Sequence, residues 1–287
     1  MKKIIFIFIF FSFTISFLFS TLMLYPKEVI FDHDDRERTK SVKIIHRGSE
    51  KATYRVSLLQ YKQMSDGSLQ KVEIPAEYEQ FANSVVRFSP RTITLYPKVD
   101  GFEDPERPSS QTIRIRKYFR SSTLDGEYRS HLFVTSLPEV EKMDAEEKKK
   151  SQGVSIQIKT LIGISVPLIV RKGELESQLK ISNIKVEKTK NGPIMKLTVK
   201  RTGNRSVRAD VVVSTMDGRE IGMIKTCAFY LSTEKRHLSL PLRVNIKTDK
   251  ALSYREIQGK KLDIKIKQTN KDSNILWAHE TYTIPSV

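Results

Sequence analysis

From Glu28 onward, apolar and polar residues alternate with a period of two, and no stretch carries the three-to-four spacing of a long helix. The alternation predicts strands over Glu28–Asp32, Thr39–Arg47, Ala52–Tyr61, Val85–Ser89, Thr92–Tyr96, Gln111–Tyr118, Gly126–Ser136 and Val154–Arg171. Between them lie turn signals, Arg47-Gly48-Ser49, Ser65-Asp66-Gly67, Val99-Asp100-Gly101 and Leu124-Asp125-Gly126. Short strands at this spacing build a β-sandwich.

A second series follows Gly173: Lys180–Lys188, Ile194–Thr202, Val207–Ser214, Gly222–Leu231, Arg236–Asn245, Lys261–Thr269 and Ile275–Ile284. Asn191-Gly192 and Asp217-Gly218 each predict a hairpin, because a tight turn needs residues that tolerate positive φ. The fold class expected is therefore all-β, with two immunoglobulin-like β-sandwiches in tandem. The chain of 287 residues suits two domains, here 21–172 and 173–287. Pro138–Gly153 departs from the pattern. It is acidic, then basic, with almost no apolar residue, and reads as a mobile loop or a short exposed helix.

One strand stands apart. Taken in steps of two, Val154, Ile156, Ile158, Thr160, Ile162, Ile164, Val166, Leu168 and Val170 are apolar except at Thr160. Successive side chains of a strand face opposite ways, so one face of this element is apolar throughout. At about 3.3 Å per residue it extends roughly 55–60 Å, far beyond an ordinary strand. A sandwich of this size cannot cover such a length, so its beginning is expected to overhang or to lie at a sheet edge. Exposed apolar edges recruit other chains, and strand addition to a partner is their natural use. The pattern alone equally fits two buried strands with a turn near Gly163.

The chain opens differently. Lys2 and Lys3 precede an apolar run from Ile4 to Tyr25. This is the form of an export signal, expected to end near residue 20, though a run of this length could also be kept as a membrane anchor to about residue 25. Either places the rest of the chain outside the cytoplasm. The net charge is +17, but the basic residues are spread through nearly every strand and no basic cluster interleaved with aromatics stands out, which argues against nucleic acid. A basic surface would favour acidic partners or anionic surfaces. The single cysteine, Cys227, excludes an internal disulfide and reads as a small core residue.

Several stretches, in order, resemble the periplasmic pilus (fimbrial) assembly chaperones. They are Tyr25-Pro26-Lys27-Glu28-Val29-Ile30-Phe31, Ala52-Thr53-Tyr54-Arg55-Val56, Val86-Arg87-Phe88-Ser89-Pro90-Arg91, Gln111-Thr112-Ile113-Arg114-Ile115, Gly126-Glu127-Tyr128-Arg129-Ser130-His131-Leu132 and Val166-Pro167-Leu168-Ile169-Val170-Arg171. The second half is similar only through Ser253-Tyr254-Arg255-Glu256 and the strand after it. The resemblance implies a chaperone that lends its long strand to pilin-like subunits lacking their last strand, before an outer-membrane usher exchanges it for the next subunit. By position the lent strand is Val154 to about Ile164, with Ile156, Ile158 and Ile162 inserted into the subunit and Thr160 over a shallow pocket. The resemblance also implies two basic anchors for the subunit's terminal carboxylate. Their positions here hold Glu28 and Pro167, so both are missing. Lys27 replaces one only if a bulge turns it inward. Arg171 matches an interdomain arginine of the family, with Glu256 as its expected acidic partner. The alternative is a structural or adhesive surface protein, anchored through residues 4–25.

Enzyme chemistry is not expected. The histidines are scattered, and Asp32, His33, Asp34 and Asp35 read as a charged turn rather than a metal site. There is no Gly-x-Ser-x-Gly, phosphate-binding glycine loop, zincin motif or Cys-x-x-Cys. No catalytic residue, metal, cofactor or small-molecule substrate is expected.

Overall fold

The computed structural model describes residues 22–73, 80–98, 104–138, 161, 163–247, 250–269 and 274–286. Alternation does most of the folding. In β3 (Thr39–His46), Val42, Ile44 and His46 turn inward while Thr39, Ser41 and Lys43 face solvent. In β9 (Ser110–Lys117), Ile113 and Ile115 turn inward while Thr112, Arg114 and Arg116 face out. With β1 (Leu22–Tyr25) and β7 (Val86–Ser89) these strands form a sheet in the order β1-β3-β9-β7. The facing sheet runs β2-β11-β10-β4-β8, from β2 (Val29–Phe31), β11 (Gly163–Lys172), β10 (Gly126–Ser136), β4 (Ala52–Leu59) and β8 (Thr92–Leu95). Between them lies one core, built around Leu22, Phe31, Ile44, Ile93, Ile113, Leu132 and Leu168. Near the start of β10 the Tyr128 hydroxyl donates to the Leu124 carbonyl at 2.8 Å, a corner found in immunoglobulin-like folds.

A second sandwich follows. β12 (Ser177–Thr189), β13 (Gly192–Gly203) and β16 (Lys235–Pro241) form one sheet. β15 (Glu220–Phe229), β14 (Val207–Thr215), β17 (Lys261–Thr269) and β18 (Asn274–Thr283) form the other, in that order. Their separate core includes Met195, Val211, Phe229, Leu240, Leu262 and Ile266. The hairpins β12–β13 and β14–β15 turn at the expected places, with Gly192 and Gly218 at φ +104° and +87°, values that suit glycine. Cys227 is buried in this core.

The structure departs from the sequence reading in several places. Leu22–Tyr25, the tail of the apolar run, is a strand with Leu22 and Leu24 in the core. Its alternation was hidden because Met23 and Tyr25, on its outward face, are apolar too. The strand expected over Ala52–Tyr61 breaks at Gln60. β5 (Tyr61–Gln63) then leaves the sheet and pairs with β6 (Leu69–Lys71) as a ribbon over Ser65-Asp66-Gly67. The strand expected to reach Asn245 stops at Pro241, and a single bridge joins Arg243 to Ala251. A one-turn helix, α1 (Tyr254–Ile257), precedes β17. No helix among the described residues is long and apolar enough to cross a membrane.

Candidate functional site: the open edge of β11 and the junction beside it

β11 pairs with β10 along its length, from Gly163 opposite Thr135 to Lys172 opposite Gly126. On its other side it pairs only at Leu168, Ile169 and Val170, with Val29, Ile30 and Phe31. Gly163 to Pro167 therefore form an open edge among the described residues. Proline at 167 suits such an edge, because it has no N–H to offer a neighbouring strand. Val166 and Leu168 are buried, and Ile164 is half-buried against the same core, opposite Val134. Just upstream, Leu161 is exposed. Val154, Ile156, Ile158, Thr160 and Ile162 lie outside the described residues. Of the strand expected to be lent, only Ile164 is described, and it packs on its own sandwich.

At the other end of β11 the two sandwiches meet through charge. Arg171 Nε donates to Glu127 Oε2 at 3.0 Å, its Nη1 to Asp32 Oδ2 at 2.9 Å and its Nη2 to the Ser206 carbonyl at 3.1 Å. The Ser206 amide donates to the same Glu127 oxygen at 3.0 Å, and Arg205 reaches Asp32 at 3.2 Å. Glu127 and Arg171 are both buried. Burial works to raise the pKa of Asp32, but Arg171, Arg205 and hydrogen bonds from His33 outweigh it, and the group is held below its ordinary value. The partner expected for Arg171, Glu256, is not among these groups: it sits exposed on α1. Strand register decides the matter, since Glu127 stands directly opposite Arg171 in the β10–β11 ladder. An ionisable residue inside the apolar alternation of Gly126–Ser136 was the available signal.

The anchor positions show a charge exchange. Glu28 accepts from Arg208 of the second sandwich at 2.5 Å. Pro167 carries no charge, and Lys27 is exposed between β1 and β2. A cleft of about 160 Å³ opens here, lined by Glu28, Arg171, Arg205, Arg208, Lys267 and Trp277. Its cations come mainly from the second sandwich. Asp32, His33 and Asp34 bring potential ligand atoms within 4.8 Å of one another, but the Asp32 carboxylate is engaged by two guanidinium groups.

On the far side of the junction the β5–β6 ribbon grips the second sandwich. The Gln63 amide donates to Ser232 Oγ at 2.8 Å, its side-chain nitrogen to the Ala228 carbonyl at 3.2 Å, and its side-chain oxygen accepts from the Tyr230 amide at 3.0 Å. The Ser65 carbonyl accepts from the His237 amide at 2.7 Å. The Arg129 guanidinium lies 4.1 Å from the Tyr230 ring centre, and His131 stands edge-on to Tyr61 and Tyr230. Burial, with Arg129 and Arg208 nearby, lowers the His131 pKa to about 4.

No protein-family profile and no curated protein matches this chain. Among solved structures it is similar to the YadV chaperone, at 10% identity and a TM-score of 0.43, over 91% of this chain and 100% of that one. It is also similar to the CsuC–CsuE chaperone–tip subunit pre-assembly complex of Csu pili from Acinetobacter baumannii, at 12% identity and a TM-score of 0.43, covering 93% and 100%. A third is the Salmonella enterica SafB chaperone in complex with SafA pilin, at 12% identity and a TM-score of 0.40, covering 92% and 96%.

Proposed function

We propose that this protein is a periplasmic chaperone that caps pilin-like subunits by lending them the strand from Val154 to about Ile164, which runs into the open edge of β11, and passes them to an outer-membrane usher. The observation that carries the reading is the open edge from Gly163 to Pro167. It continues the alternation of Val154, Ile156, Ile158 and Ile162, whose apolar face exceeds what one sandwich can cover. Strand addition supplies backbone hydrogen bonds from the edge and specificity from the alternate side chains. The ordered resemblance of Tyr25–Arg171 to the pilus chaperones supports the same reading.

Glu28, Pro167 and exposed Lys27 leave the two basic anchor positions unfilled, so subunit binding rests on the lent strand rather than on a paired clamp from β2 and β11. The test is co-expression of the exported chain with a pilin-like subunit encoded beside it. Ile158→Asp together with Ile162→Asp is expected to abolish co-purification while leaving the chaperone's own unfolding transition in place. Undiminished capture by that variant overturns the proposal.

A further inference from the structure

We propose that the outer face of the β1-β3-β9-β7 sheet is a docking surface for an anionic lipid bilayer. The four strands contain no acidic residue, yet they carry Lys40, Lys43, Arg87, Arg114, Arg116 and Lys117. Two of these are accounted for inside the fold. Lys40 pairs with Asp35 at 2.5 Å, and Lys117 donates to the Asp35 carbonyl at 2.8 Å. Lys43, Arg87, Arg114 and Arg116 all lie on the exposed face, and none forms an ion pair among the described residues. The Arg87 guanidinium sits over the Tyr118 ring at 4.6 Å, which holds it without neutralising it.

The register packs these charges together. Arg116 stands opposite Arg87 on one side and Thr39 on the other, while Arg114 stands between Ser89 and Ser41. Directly opposed side chains lie about 5 Å apart and same-face neighbours on one strand about 7 Å apart. Like charges placed so are destabilising unless something outside the fold answers them. The spacing suits an array of phosphate headgroups.

The border of the face selects a bilayer over an acidic protein. On the edge strand β1, Tyr25 is opposite Lys43 and Met23 opposite Ile45, and they are 71% and 37% exposed. An exposed tyrosine and methionine beside cations form the combination that settles at a membrane interface. The apolar sequence ahead of Leu22 joins the fold at this same strand. The face also lies opposite the junction, because Glu127 and Arg171 are on the outer side of the other sheet. A bilayer against it leaves the junction and the second sandwich free.

The test uses the full chain, floated with vesicles of phosphatidylcholine alone and of phosphatidylcholine mixed with phosphatidylglycerol. Any insertion of the apolar N-terminus contributes to both, so the readout is the excess on anionic vesicles. A cation near an anionic surface is worth about fivefold in binding, so Arg87→Ser, Arg114→Ser and Arg116→Ser together are expected to lower the excess on the order of a hundredfold. Added salt should weaken it in the wild type. A control with Lys180→Ser, Lys188→Ser and Lys200→Ser removes the same charge from the second sandwich and should keep the excess. Equal binding to both vesicles, or an equal fall in the control, overturns the proposal. So does Arg87-, Arg114- and Arg116-dependent capture on immobilised polyglutamate without a phosphatidylglycerol preference, which would assign the face to an acidic protein.

Discussion

Glu127 and Arg171 stand opposite each other on β10 and β11, buried together where the first sandwich meets the second, and one Glu127 oxygen accepts both from Arg171 and from the Ser206 amide of the second sandwich. A single carboxylate thus fixes a side chain of its own sheet and the backbone of the neighbouring domain. The arginine does the reverse, reaching Asp32 and the Ser206 carbonyl. Removing Arg171 strands a buried carboxylate, whereas removing Glu127 leaves the arginine its bonds to Asp32 and Ser206.

Removing Arg171 alone is therefore expected to be far worse than removing both. Arg171→Met leaves Glu127 buried without its ion partner, and losses of about 3–5 kcal/mol accompany such breaks. Replacing the pair by Arg171→Met with Glu127→Leu should recover much of that loss. Urea unfolding of the two single variants and the double variant measures the coupling. Equal additive losses would show that the two charges act independently.

Stability should also fall on acidification, in two windows. His131 has an ordinary pKa of 6.5 and about 4 in the fold, where burial and the neighbouring arginines oppose its charge. Above 6.5 both states are neutral and it contributes nothing. Between 6.5 and 4 the unfolded chain takes up the proton first, so the fold loses stability, by at most about 3 kcal/mol. Asp32 adds a lower window. Its folded pKa is depressed, so its contribution is present above 3.8 and is lost as the pH falls through the lowered value. His131→Leu should flatten the urea-midpoint profile between pH 6.5 and 4 and leave the fall below pH 4 intact.

The ribbon should govern how firmly the sandwiches are joined. Gln63→Ala removes two side-chain hydrogen bonds and leaves the Tyr230 amide without its partner, while the Ala228 carbonyl still accepts from Arg236. Unsatisfied buried groups cost about 1–3 kcal/mol each. Because the lost bonds cross the junction, the expected sign is a single calorimetric transition splitting into two, with each core otherwise intact.

Alternation made most of the strands legible, since each needs only an apolar face turned to its own core. β1 escaped because its outward residues are apolar as well, and β5–β6 because three-residue strands carry too little period to register. The site divides in the same way. The length of the apolar face at Val154–Val170 was visible, as was the loss of cations at Glu28 and Pro167. The partner of Arg171 was not, because a pairing across an antiparallel ladder depends on register between residues 44 positions apart. Nor was the exchange of Glu28 with Arg208, which joins residues 180 positions apart.

The last apolar position of the lent face tests where the sandwich ends and the offered strand begins. Ile164 packs on the first core opposite Val134, whereas Leu161, three residues upstream, is 55% exposed. An aspartate at 164 buries a charge in an apolar neighbourhood, so Ile164→Asp is expected to destabilise the free protein by about 2–4 kcal/mol. Leu161→Asp, on a solvent-facing side chain, should change it by less than about 0.5 kcal/mol. Urea unfolding of the two variants, without any subunit, places the boundary between them. If both are neutral, the part of β11 offered to a partner extends past Ile164. If both are damaging, the offered strand ends upstream of Leu161.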